Sequence, residues 1–165
     1  MDRDEQNVFL SKWYAEANRY MDNAKETLQK AGKDGSHYTD PKYVQTACGT
    51  AYSGVLIALN TWLALKGIPE PPKKQRKSIE YYMSNIAKTD KKLASVMDDA
   101  YRILHLYGYY DGIRNAKVIG LGFDAAYEII EKIKPEHFVP VKETRTQGFK
   151  RVLNNLLISA AVMFR

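Results

Sequence analysis

From Tyr43 to Leu65, between Lys42 and Lys66, the chain carries no charged residue, and its apolar side chains recur with a seven-residue period. Val44, Ala51, Ala58 and Leu65 form one row; Cys48, Val55 and Trp62 form a second, four positions on, so both fall on one broad stripe of a helix. Tyr52, Leu56, Leu59 and Leu63 carry the apolar surface most of the way round. Such a helix is stable in water only with neighbours on several sides. The stretch is therefore the expected central helix of an all-α bundle. Its length would suffice to cross a membrane, but Gln45, Thr46, Thr50, Ser53, Asn60 and Thr61 interrupt it, and a core helix is expected instead.

The flanks carry start and stop signals. Asp40-Pro41 offers an N-cap followed by a first-turn proline, and Lys66-Gly67 a cation in the last turn with a glycine past the end. Pro69, Pro71 and Pro72 prevent resumption. Upstream, Leu10, Ala17, Ala24 and Ala31, with Tyr14, Met21 and Leu28, predict an amphipathic helix over 8–31 whose alanines allow close approach by another helix. Lys33 to Tyr38 reads as a polar turn.

Downstream, a short helix is expected over 78–88, with Ile79, Tyr82, Met83 and Ile86 on one face. Thr89-Asp90 restarts the chain. Leu93, Val96, Met97, Ala100, Tyr101, Leu104 and Tyr107 then predict a core-facing helix closing at Gly108, with Asp98 and Arg102 four apart as an exposed ion pair.

Ala116, Ile119, Phe123, Ala126, Ile130 and Ile133 predict a further helix ending before Pro135. Gly120 and Gly122 each cost about 1 kcal/mol relative to alanine, which leaves its first half open between helix and loop. Residues 136–147 read as extended or irregular. Phe149 to Phe164 reads as a final helix that caps the bundle or meets a second subunit. The expected architecture is an up-and-down four-helix bundle with one or two additional short helices. Residues 1–134 form the bundle and 135–165 a C-terminal extension.

Several chemistries lack their residues. Cys48 is the single cysteine, so no disulfide framework arises, and its place in the apolar stripe predicts an inert thiol. The three histidines, His37, His105 and His137, fall on different segments, and no glutamate stands three positions before any of them, as a di-iron bundle would need. No cofactor or metal is expected. Gly120-Leu121-Gly122 has no strand before it and is not a phosphate-binding fingerprint. The acidic start, Met1-Asp2-Arg3-Asp4-Glu5, is unlike a signal peptide, so a cytoplasmic protein is expected.

Two stretches stand out as candidate sites. Lys73, Lys74, Arg76 and Lys77 place four cations in five residues of a proline-rich link, suited either to a nucleic-acid backbone or to a solvated linker. Arg102, His105, Tyr107, Tyr109, Tyr110 and Asp111 form the second. There, tyrosines would stack a base while Arg102 meets a phosphate. Alternatively, Tyr107 is core, Tyr109 and Tyr110 are half-buried at a helix end, and His105 offsets the charge of the helix C-terminus.

The run from Ala51-Tyr52-Ser53-Gly54 through Asn60 to Leu65-Lys66-Gly67, with His105-Leu106-Tyr107-Gly108-Tyr109-Tyr110-Asp111-Gly112, resembles the HEPN superfamily of helical bundles, and within it an uncharacterised bacterial branch. The resemblance covers about residues 2–134. It implies a metal-independent ribonuclease of a toxin-antitoxin or defence system, a partner of a nucleotidyltransferase-type protein, or a binding module. Nuclease members share an arginine followed after four to six residues by histidine. Here the window before His105 holds Asp98, Asp99 and Ala100, and Arg102 is too near. Two aspartates would repel the phosphate that such chemistry must stabilise. The resemblance therefore implies a non-catalytic binding or assembly module, as a homodimer away from membranes, with RNA cleavage or nucleotide processing as the alternative and RNA as a candidate partner. The formal charge of +6 is compatible with an anionic partner or with solubility alone.

Overall fold

The Asp2 carboxylate accepts from the Glu5 N–H and the Glu5 carboxylate accepts from the Asp2 N–H, a capping box that starts helix α1 (Arg3–Gln29). The cap moves the helix start ahead of the first periodic apolar residue. The computed structural model describes residues 1–72 and 75–139; the expected helix over 149–164 lies outside them.

Lys33 to Tyr38 is more ordered than a polar turn. Lys33–Asp34 (β1) pairs antiparallel with His37–Tyr38 (β2), in the register Lys33 to Tyr38 and Asp34 to His37. The pairing extends at His37, which bridges to Asn115. Helix α2 (Pro41–Leu65) then begins with the Asp40 carboxylate accepting from the Lys42 N–H and proline in its first turn, as its flanks foretell.

Ser78 caps α3 (Ile79–Ala87) and Asp90 caps α4 (Lys91–Ala100). The helix does not close at Gly108. From Tyr101 it widens into a π-helix (Tyr101–Tyr110), and at its end the Asp111 N–H reaches back five residues to the Leu106 carbonyl at 3.0 Å. The wider turn carries Tyr107 away from the buried face, so this residue is exposed rather than core. Asn115 caps α5 (Ala116–Glu131), which includes the two glycines whose segment was open between helix and loop.

The described residues form an all-α bundle with one two-stranded ribbon. Helix α2 is its spine: it packs on α1, α5, the π-helix and α3. Val44, Val55 and Leu59 from α2 are fully buried with Met21, Ile86, Leu93, Met97, Leu104, Ile119, Ile129, Ile130 and Ile133. Among the described residues α2 is the one helix long and apolar enough to cross a membrane by length and composition, and 61% of that apolar window is buried within the bundle. Lys132 with Asp90 at 2.9 Å and Lys92 with Glu128 at 2.8 Å pin α4 to α5 at the surface.

Candidate binding pocket

The π-helix sets the site because its side chains at every fourth position stack. Tyr101, His105 and Tyr109 follow one another with ring centroids 5.3 and 6.0 Å apart and interplanar angles of 30° and 11°. Tyr52 of α2 also stacks on the imidazole at 4.8 Å, and Tyr110 meets it edge-on at 5.1 Å. The ladder can approach α2 because two glycines clear its path. Any Cβ on Gly108 would strike the Cys48 side chain, and one on Gly49 would fall 2.9 Å from the Tyr109 ring. Cys48 itself is buried, and burial pushes its thiol up to about 12, so no reactive thiolate forms.

Against this ladder lies a cavity of about 110 Å³, lined by Tyr52, Leu56, Lys77, Ile79, Tyr82, Tyr101, His105 and Tyr110. Its polar edge is built around Asn60. The Asn60 Oδ1 accepts from the Tyr82 hydroxyl at 2.9 Å and from the Lys77 Nζ at 2.7 Å; Lys77 also donates to Glu70 Oε1 at 2.6 Å. The Lys77 side chain is 16% exposed, whereas Glu70 is 74% exposed and approaches from solvent. A more open cleft of about 350 Å³ adjoins, lined by Lys42, Gln45, Thr46, Tyr109 and Tyr110, so Tyr110 borders both.

Burial fixes the protonation of the lining. The Tyr52 and Tyr82 hydroxyls are pushed above the ordinary tyrosine range and stay protonated at neutral pH. Desolvation holds His105 below its ordinary range, which favours the neutral imidazole. A neutral ring offsets the helix C-terminal charge less than an imidazolium would. Its surroundings are those of a stacking surface.

The two sequence candidates are thereby rearranged. His105, Tyr109 and Tyr110 lie together, but Arg102 lies outside the cavity lining and is bound to Asp98 at 2.7 Å in an exposed pair. Tyr107 is 41% exposed. Asp111 is exposed too, and its backbone closes the π-helix. Of the basic run, Lys73 and Lys74 lie outside the described residues and Arg76 is exposed. Lys77 is no solvated linker residue: it is the cation at the aromatic cavity, the place expected for Arg102.

Sequence reasoning missed Asn60, Tyr52, Tyr82 and Tyr101 as site residues, because the tyrosines also fit apolar faces and Asn60 read only as a polar interruption of the central helix. The usable signal was Asn60, an amide inside an uncharged helix that needs buried partners. Among the described residues no group of three or more His, Cys, Asp and Glu side chains is placed to hold a metal ion.

A family described as Domain of unknown function (DUF5618) matches residues 12–135. The chain belongs to this family. All of the cavity lining falls within the DUF5618 match, as does the Asn60, Lys77 and Glu70 edge. The chain is also similar to a protein of unknown function from Dyadobacter fermentans, at 38% identity and a TM-score of 0.66, over 81% of this chain and 98% of that one. No curated protein matches.

Proposed function

We propose that this DUF5618 chain is a HEPN-like bundle that acts as a binding and assembly module, as a cytoplasmic homodimer without chemistry of its own, and that the aromatic cavity is its ligand site. The observation carrying this reading is the convergence of five rings from three helices, Tyr52, Tyr82, Tyr101, His105 and Tyr110, on one cavity with a single lysine at its edge. Rings stacked beside a partly open cavity offer a π-face to a planar guest. The HEPN-like reading is supported by the contact between the two stretches that carry the resemblance: Tyr52 of the first stacks on His105 of the second.

The alternative, RNA cleavage, rests on His105, whose neutral imidazole is a competent proton acceptor. The nearest arginine along the chain, Arg102, is bound to Asp98 and outside the lining, which leaves the transition-state charge without that cation. Incubation of purified protein with a mixed RNA pool, with and without chelator, separates the readings. The binding module leaves the pool intact; cleavage abolished in His105→Ala would establish the nuclease. Light scattering reads the homodimer, and a monomer at micromolar concentration refutes that part.

A further inference from the structure

We infer that the cavity takes a planar anion with a single aromatic ring, and that this ligand enters by displacing the Glu70 carboxylate from Lys77. The inference rests on the reading of the cavity as a ligand site and adds what it binds and how it is guarded. Size comes first. An engineered apolar cavity of roughly 150 Å³ accepts benzene, so a partly open space of about 110 Å³ matches one six-membered ring and is too small to enclose a fused pair. The walls suit the same guest, since Tyr52, Tyr101, His105 and Tyr110 all line the cavity and pack on one another as stacked or edge-on rings.

The charge of the guest follows from Lys77. Its side chain is largely buried against Asn60 and the cavity wall, and an ammonium so placed needs an anionic partner. In the structure that partner is Glu70, which reaches in from a solvent-exposed position on the loop between α2 and α3 while itself remaining outside the lining. Its backbone neighbours stay anchored, because the Tyr81 hydroxyl donates to the Pro69 carbonyl at 3.0 Å. Glu70 can therefore swing out as a side chain without unfolding the loop. A ligand carboxylate would then replace it one for one on the Nζ, a charge-conserving exchange of one charge-assisted hydrogen bond for another, and a phosphate would do the same while bringing up to one further negative charge. The bound Glu70 lowers the fraction of molecules ready to accept ligand, and apparent affinity falls by that fraction.

The test is calorimetric titration of the full chain with uridine 5′-monophosphate, 4-hydroxybenzoate, adenosine 5′-monophosphate and inorganic phosphate. Wild type, Glu70→Gln and Lys77→Met are compared, with near-UV circular dichroism as the check on packing. One or both single-ring anions are expected to bind wild type, and whichever binds identifies the source as a pyrimidine nucleotide or an aromatic acid. Glu70→Gln, a surface change, is expected to tighten that binding about tenfold, and Lys77→Met to weaken it by at least about tenfold. Adenosine 5′-monophosphate or phosphate binding as tightly as the single-ring anions would overturn the assigned guest. Unchanged affinity in Glu70→Gln with intact wild-type binding would overturn the displacement and leave the ligand site standing. No binding of any probe at millimolar concentration to either wild type or Glu70→Gln would remove the cavity as the ligand site for these anions, and the inference with it.

Discussion

Gly108 is the residue on which the site's backbone depends. A Cβ there would lie 2.7 Å from the Cys48 Cβ and 3.0 Å from the Ile103 carbonyl oxygen, both fixed parts of packed helices. Gly108→Ala is expected to destabilise the protein by about 1–3 kcal/mol, as overpacking of a closed interface does, and a urea titration reads it directly. His105 gives a second outcome at this scale, through pH. In the unfolded chain it titrates near its ordinary value, while burial lowers that value in the fold. Between the two the unfolded chain binds more protons, so stability rises with pH across that interval. The contribution is whole above the ordinary histidine range and is lost as pH falls through the lowered value. His105→Phe keeps a stacking ring without the titration. The drop in Tm between about pH 7.5 and 5.5 is therefore expected to be smaller in the variant than in wild type; equal drops would show that the imidazole contributes nothing to it.

Among elements, α5 shows what spacing conveys and what it leaves out. Its apolar period was legible, yet Gly120 and Gly122 looked alike in sequence, two helix-weakening residues of equal cost. Packing separates them. A Cβ on Gly122 would sit 2.6 Å from Ile103 and 2.8 Å from Leu104 of the π-helix, whereas one on Gly120 meets nothing within 4 Å. Gly120→Ala is accordingly expected to raise stability by about 0.5–1 kcal/mol through helix propensity alone. Gly122→Ala forces its neighbours aside and is expected to lower it, so the two melting temperatures move in opposite directions. The start of α2 was legible for a local reason, since Asp40-Pro41 is both cap and first turn. The π-helix was not, because Leu93 to Tyr107 advances by threes, ones and threes like any α-helix. Its widening shows in the backbone of Tyr101–Tyr110 and in the Asp111 amide reaching back to Leu106.

At the scale of the whole molecule the same division explains the cavity. Five of the eight lining side chains, Tyr52, Leu56, Ile79, Tyr82 and Tyr101, belong to faces that sequence periodicity assigns to packing, and the site exists only because α2, α3 and the π-helix converge. Lys77 lay in a charge run that reads as linker, and it becomes a pocket residue through Asn60, distant in sequence. A site assembled across helices in this way requires that the helices fold as one unit, and the core supports that. Met21 of α1, Leu59 of α2, Met97 of α4, Leu104 of the π-helix and Ile130 of α5 belong to a single buried cluster. The two tryptophans report on different helices: Trp62 is a buried part of α2, and Trp13 is a half-buried part of α1. Leu59→Ala removes a fully buried side chain from the spine and is expected to cost about 2–5 kcal/mol. If unfolding is all-or-none, the urea midpoint followed by tryptophan emission and that followed by far-UV circular dichroism shift together and by the same amount. Midpoints that separate in the variant would mean that α1 leaves the bundle on its own, and the spine would then not couple the pocket to the rest of the core.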